Sequence, residues 1–109
     1  MKREDVLEAA KRCICGDRER DYGSPEDNFG IIADFWSAYL QGRGAKLDFL
    51  EPYDVASMLA LLKLARIATG NAKHDNWVDL AGYAACGGQC QTETSRGEGA
   101  CTHPEHIGT

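Results

Sequence analysis

No run of eighteen apolar residues occurs anywhere in this 109-residue sequence, so no segment is suited to cross a bilayer as a helix. Met1, Lys2, Arg3, Glu4 and Asp5 pass straight into an amphipathic pattern, without the apolar core of a secretory signal. Membrane insertion and export are not expected, and the chain reads as soluble and cytoplasmic. Excess positive charge is missing as well: 12 Lys and Arg stand against 17 Asp and Glu, a net charge of -5. Without a basic surface to neutralise phosphates, duplex nucleic acid is not an expected partner. There is no internal repeat. A chain of this length forms one compact domain and buries a smaller share of its surface than a larger one, so a partner chain would help it.

Cysteine is plentiful by contrast. Cys13, Cys15, Cys86, Cys90 and Cys101 are an odd number in a chain with no export signal, and they read as free thiols. The alternative is a zinc site drawn from Cys86, Cys90, Cys101, His103 and His106. Its spacing argues against it, because three residues separate Cys86 from Cys90 where the common paired knuckle has two.

The apolar pattern is helical throughout. Val6, Leu7 and Ala10 recur at helical spacing in residues 3–13, followed by a charged loop between Gly16 and Gly23. Ser24, Pro25 and Asp27 form a helix start, with Ser24 as the cap, Pro25 at the first position and Asp27 at the capping-box position. Phe29, Ile32, Ala33, Trp36 and Leu40 make the apolar face of that second helix, which Gly42 and Gly44 end. A third helix runs from Pro52 to Gly70 and is apolar at almost every angle from Val55 to Ala68, which places it centrally and predicts a homo-oligomer to cover it. The fourth begins near His74 and Asp75 and is expected to end about Cys86, closed by Gly87 and Gly88. Trp36 and Trp77 sit at apolar positions and are expected in the core. The fold class is therefore all-α, a four-helix bundle-like domain over residues 1–90 with a polar, disordered tail over residues 91–109.

Charged residues embedded in apolar helices carry the chemistry, since each needs a partner. Asp75 and Asp79 are four apart and share a helix face, with Gly82 beyond them leaving a gap for a ligand. Two such carboxylates suit a magnesium ion. The competing reading has Asp75 capping its helix and Asp79 pairing with Lys63 or Arg66. Glu51 and Asp54 repeat the question at the start of the third helix, where acidic residues also favour the macrodipole. Lys63 and Arg66, adjacent on the wheel, suit phosphate, but Asp54 lies on the other side of their helix. In the loop, Arg18 and Tyr22 offer a guanidinium and a ring for a nucleotide's phosphate and base.

Taken in order, Gly16, Asp17 and Arg18, Tyr22 and Gly23, Asn28 and Phe29, Asp54, Lys63, Arg66, and the segment from His74 to Tyr83 resemble a family of small domains carried mostly by phages and prophages. More distantly the chain is similar to the all-α nucleoside triphosphate pyrophosphohydrolases of the MazG type, four-helix oligomers whose acidic helices bind magnesium and cleave between the α and β phosphates. Asp75 to Tyr83 looks like a variant of that group's second acidic helix. Where the group carries closely spaced glutamates on its first, Phe29 to Trp36 holds only Asp34, so Glu51 and Asp54 take their place in the implied metal set. The resemblance implies a nucleotide-binding phage protein of the host cytoplasm, with Asp75, Asp79, Asp54 and Glu51 on magnesium and Lys63 and Arg66 on phosphates. The alternative is a non-catalytic protein that sequesters a nucleotide signal or binds a host defence protein.

Overall fold

The computed structural model describes residues 1–16, 24–70 and 74–94. Among these there are four helices and no strand: α1 (Arg3–Cys15), α2 (Pro25–Gly42), α3 (Pro52–Ala68) and α4 (His74–Thr94). The expected all-α architecture is therefore present. The α2 start follows its chemistry, with the Ser24 hydroxyl accepting from the Asp27 amide at 3.3 Å and Pro25 in the first turn. Pro52 opens α3 in the same way, and Asp54 accepts from the Glu51 amide at 2.8 Å. Gly70 ends the helix with φ at 91°, a left-handed conformation that glycine adopts without strain.

The most extensive packing is between α3 and α4; α4 also carries α1, α3 also carries α2, and α2 touches α4 lightly. The core at these contacts is built of small side chains: Ala10, Ala33, Val55, Ala56, Val78, Cys86 and Cys90, with Ser37 among them. Ser37 is fully buried because its hydroxyl accepts from the Leu50 amide at 2.8 Å, while the Gln41 amide donates to the carbonyls of Leu47 and Asp48. These bonds hold the connection between α2 and α3 against α2.

Three expectations are corrected. The fourth helix does not stop at Cys86; it continues through Gly87 and Gly88 to Thr94, so residues 91–94 of the expected tail are helical. Residues 95–109 lie outside the described residues. Gly87 is a packing residue here, since a Cβ on it would stand 3.0 Å from the Cβ of Ala56. The two helices approach closely because the glycine has no side chain, and Cys90, one turn on, is sealed in the core. On α1 the inward positions are Val6, Ala10 and Ile14, and Leu7 faces out. Trp77 is 51% exposed, whereas Trp36 is half-buried. As expected from its apolar pattern, α3 is not covered on all sides within one chain: Leu61, Leu62 and Leu64 are exposed.

The two glycines of α4 predict opposite signs. Gly87→Ala gains about 1 kcal/mol of helix propensity but drives a methyl into the buried Ala56, whose Cβ cannot rotate away, for a net loss of about 1 kcal/mol. Gly88→Ala meets nothing within 4 Å and gains about 0.5–1 kcal/mol. Urea unfolding of the two variants reads both signs.

Candidate functional site

Lys63 and Asp79 meet where α3 and α4 run side by side, with Nζ 2.8 Å from Oδ2. The lysine side chain is 11% exposed and the aspartate 38%. The α3 and α4 helices are antiparallel, as two contacts establish. Ala56 faces Gly87, and two turns further along α3 Lys63 faces Asp79, two turns back along α4. The same register brings Arg66 and Asp75, both exposed, to one level a turn nearer the connection between the helices. Four of the charged residues singled out in the sequence thus lie toward one end of the helix pair: an ion pair with a buried lysine and a partly exposed aspartate, and two exposed charges a turn further along.

Glu51 and Asp54 are elsewhere. They cap the opposite end of α3, about 14–18 Å along its axis from Lys63, where Asp54 holds the Glu51 amide. Within one chain the set Asp75, Asp79, Asp54 and Glu51 does not assemble, and among the described residues no three His, Cys, Asp or Glu side chains gather to hold a metal ion. Asp79 already has an ammonium partner, which satisfies it without a cation from solution. The gap anticipated at Gly82 is filled: a Cβ there would stand 3.2 Å from Cγ2 of Ile14, so this glycine serves the contact between α1 and α4. Arg18 and Tyr22 lie outside the described residues.

A second polar cluster was not visible in the sequence. Cys86 and Cys90 are both buried, and the carboxylate of Glu26, in the first turn of α2, lies near Cys90. Glu26 Oε2 accepts from Gln89 Nε2 at 3.1 Å, while Oε1 is buried with no hydrogen-bond partner. Burial, then the Glu26 carboxylate, then Cys86 push the Cys90 thiol up to about 11. Such a thiol is inert at neutral pH. The signal was the four-residue spacing of Cys86 and Cys90, which places them on one helix face once the helix passes the glycines. Cys13, Cys15, Cys86 and Cys90 are not in disulfides, the first two being exposed, while Cys101, His103 and His106 lie outside the described residues.

An all-helical domain centred on an antiparallel helix pair with an internal ion pair is the class of protein these residues define. The chain belongs to the family described as a domain of unknown function, DUF6378, whose pattern it matches over residues 5–91. It is similar to the Gene 55 protein of Mycobacterium phage D29, 37% identical over 95 residues that cover 87% of this chain and 59% of that protein. It is also similar to the Gene 55 protein of Mycobacterium phage L5, 42% identical over 79 residues that cover 72% and 47% respectively. The chain thus spans about half to three-fifths of the length of these relatives. No solved structure matches it. The expected kinship with phage-borne domains is borne out. Among the described residues no helix is long and apolar enough to cross a membrane.

Two measurements follow from the site. Asp79→Asn leaves the Lys63 ammonium without its counter-charge and should destabilise the protein by about 2 kcal/mol, the low end for a buried pair because water reaches Asp79. The double change Lys63→Met with Asp79→Leu should recover most of that loss in thermal melts. An unchanged melting temperature in Asp79→Asn would mean that the carboxylate is not held by Lys63.

For Cys90 the sign runs toward alkali. The unfolded thiol loses its proton near 9.0 and the folded one near 11, so between these values the unfolded state binds fewer protons and stability falls as pH rises. Equilibrium unfolding between pH 8 and 11, compared with Cys90→Ala, should show the extra slope only in the parent.

Proposed function

We propose that this chain is a phage-encoded nucleotide-binding protein of the host cytoplasm, which grips phosphate at the Lys63–Arg66 end of α3. The observation that supports this reading is the exposed Arg66 one turn along α3 from Lys63, which Asp79 holds in place. A guanidinium offers a planar fork to phosphate oxygens, and Lys63 could turn an N–H toward the same phosphate while keeping its bond to Asp79. Asp79 orients Lys63 from the facing helix. The MazG-like reading goes further, to magnesium-dependent hydrolysis of a nucleoside triphosphate. One chain's carboxylates do not fit that ion, because Glu51 and Asp54 are at the other end of α3. Such a site would need carboxylates from a second copy, and the functional unit in this reading is a homo-oligomer.

The second reading is a non-catalytic protein that sequesters a nucleotide signal or blocks a host defence protein. The ion pair that already satisfies Asp79 favours it, since a binding protein needs no open metal position.

Calorimetric titration of nucleoside triphosphates, with and without magnesium, tests both. The parent should bind, and Arg66→Ala should bind about tenfold more weakly without a change in melting temperature, because Arg66 is exposed. Pyrophosphate release under the same conditions selects the enzyme, and return of intact nucleotide after denaturation selects the sequestering protein. Absence of binding by the parent would sink the nucleotide reading.

A further inference from the structure

Among the described residues the fully buried side chains are small, and several large apolar ones are exposed. On α2 the buried positions are Ala33 and Ser37, while Ile31, Phe35 and Tyr39 are exposed, at 59%, 71% and 67%. These three recur every four residues and form one stripe on the side of the helix opposite the buried pair. The inner face is already committed to the core, so the stripe is a second apolar face with no partner in its own chain.

Charge brackets it. Asp27 lies one turn before Ile31 and Arg43 one turn after Tyr39, both exposed and neither in an ion pair among the described residues. Phe35 is the midpoint, with Ile31 and Tyr39 four residues to either side and Asp27 and Arg43 eight to either side. Laid against its own copy in the opposite direction, the stripe places Phe35 on Phe35, Ile31 on Tyr39, and Asp27 beside Arg43. A two-fold interface demands this self-complementarity, in which each residue meets its counterpart twice.

We propose that the outer face of α2 is the homodimer interface, closed by an antiparallel second copy of this chain about a two-fold axis at Phe35. Rows of side chains four residues apart are the ridges of the commonest class of helix packing, so the two rows lie side by side, each in the groove beside the other, where the exposed Ala38 leaves room. An aromatic side chain buries about 150–250 Å² when covered, so the stripe offers on the order of 450 Å² per copy, in the range of the largest apolar patch on a typical monomer. With the flanking charges a pair approaches the roughly 1,200 Å² at which stable interfaces begin. The inference rests on the homo-oligomer reading above and assigns it a surface on α2, apart from the exposed leucines of α3 and from the Lys63–Asp79 pair.

Light scattering after size exclusion tests the assembly, and variants test the face. The parent should run as a dimer at tens of micromolar, and Phe35→Asp, which sets two carboxylates against each other at the axis, should run as a monomer with unchanged helical circular dichroism. Asp27→Arg should weaken the dimer by about tenfold, because two attractions become repulsions, and Asp27→Arg with Arg43→Asp should restore it. The charge exchange decides the matter if Phe35→Asp fails to fold. A monomeric parent overturns the oligomeric reading itself. A dimeric parent whose mass is unmoved by Phe35→Asp, or whose affinity is not restored by the charge exchange, overturns the α2 interface alone.

Discussion

Everything else in this fold depends on how closely α4 can lie against α3, and that distance is set by Gly87 and Ala56. With no side chain on one and only a methyl on the other, the two helices meet at the limit of van der Waals contact. That contact fixes the antiparallel register, and the register puts Lys63 within hydrogen-bond reach of Asp79 two turns away. A slip of one residue would rotate the carboxylate by about 100° around its helix and leave an ammonium buried alone. Small-residue packing and the ion pair therefore specify the same arrangement, one through shape and the other through charge.

The helix starts were legible because they rest on local chemistry. Ser24 with Pro25 and Asp27, and Pro52 for α3, mark starts that the structure repeats, the first through the bond from the Asp27 amide to the Ser24 hydroxyl. The end of α4 was not legible, because paired glycines have two uses that look identical in one dimension. They end a helix when the backbone turns left-handed, and they admit a neighbour when it does not; only the position of Ala56 in space decides between them. Leu7 and Trp77 fail for a related reason. Helical spacing identifies an apolar stripe but not which edge of it meets a neighbour, and α1 is turned so that Val6, Ala10 and Ile14 meet α4.

The charged residues show how far spacing alone can go. That Asp75 and Asp79 share a face, and that Lys63 lies across its helix from Asp54, followed from 3.6 residues per turn. Whether Asp79 faces a lysine or a cation from solution depends on the partner helix, and no single-helix pattern contains that information. The ion pair between Lys63 and Asp79 answers it for one chain. Glu51 and Asp54 illustrate the same limit, since two carboxylates three apart at a helix start serve a cap as well as a metal, and here Asp54 serves the cap.

A core of alanine, valine, cysteine and serine also limits what a single copy can achieve. Burying a fully covered valine contributes about 1.5–3 kcal/mol, and alanines less, so a domain whose largest fully buried side chains are Val55, Cys90 and Ser37 has little margin over its conformational entropy. The aromatic and leucine surface that would normally supply the balance is turned outward on α2 and α3. Covering that surface with a second copy makes stability a function of protein concentration, because a partner that binds only the folded chain adds to stability by mass action. In such a protein the apparent melting temperature rises with concentration, and a variant confined to the outer face of α2 lowers it without touching the core. The seam between α3 and α4 sets the fold of one chain, and the stripe on α2 is the apolar surface that a second copy would have to cover to add to its stability.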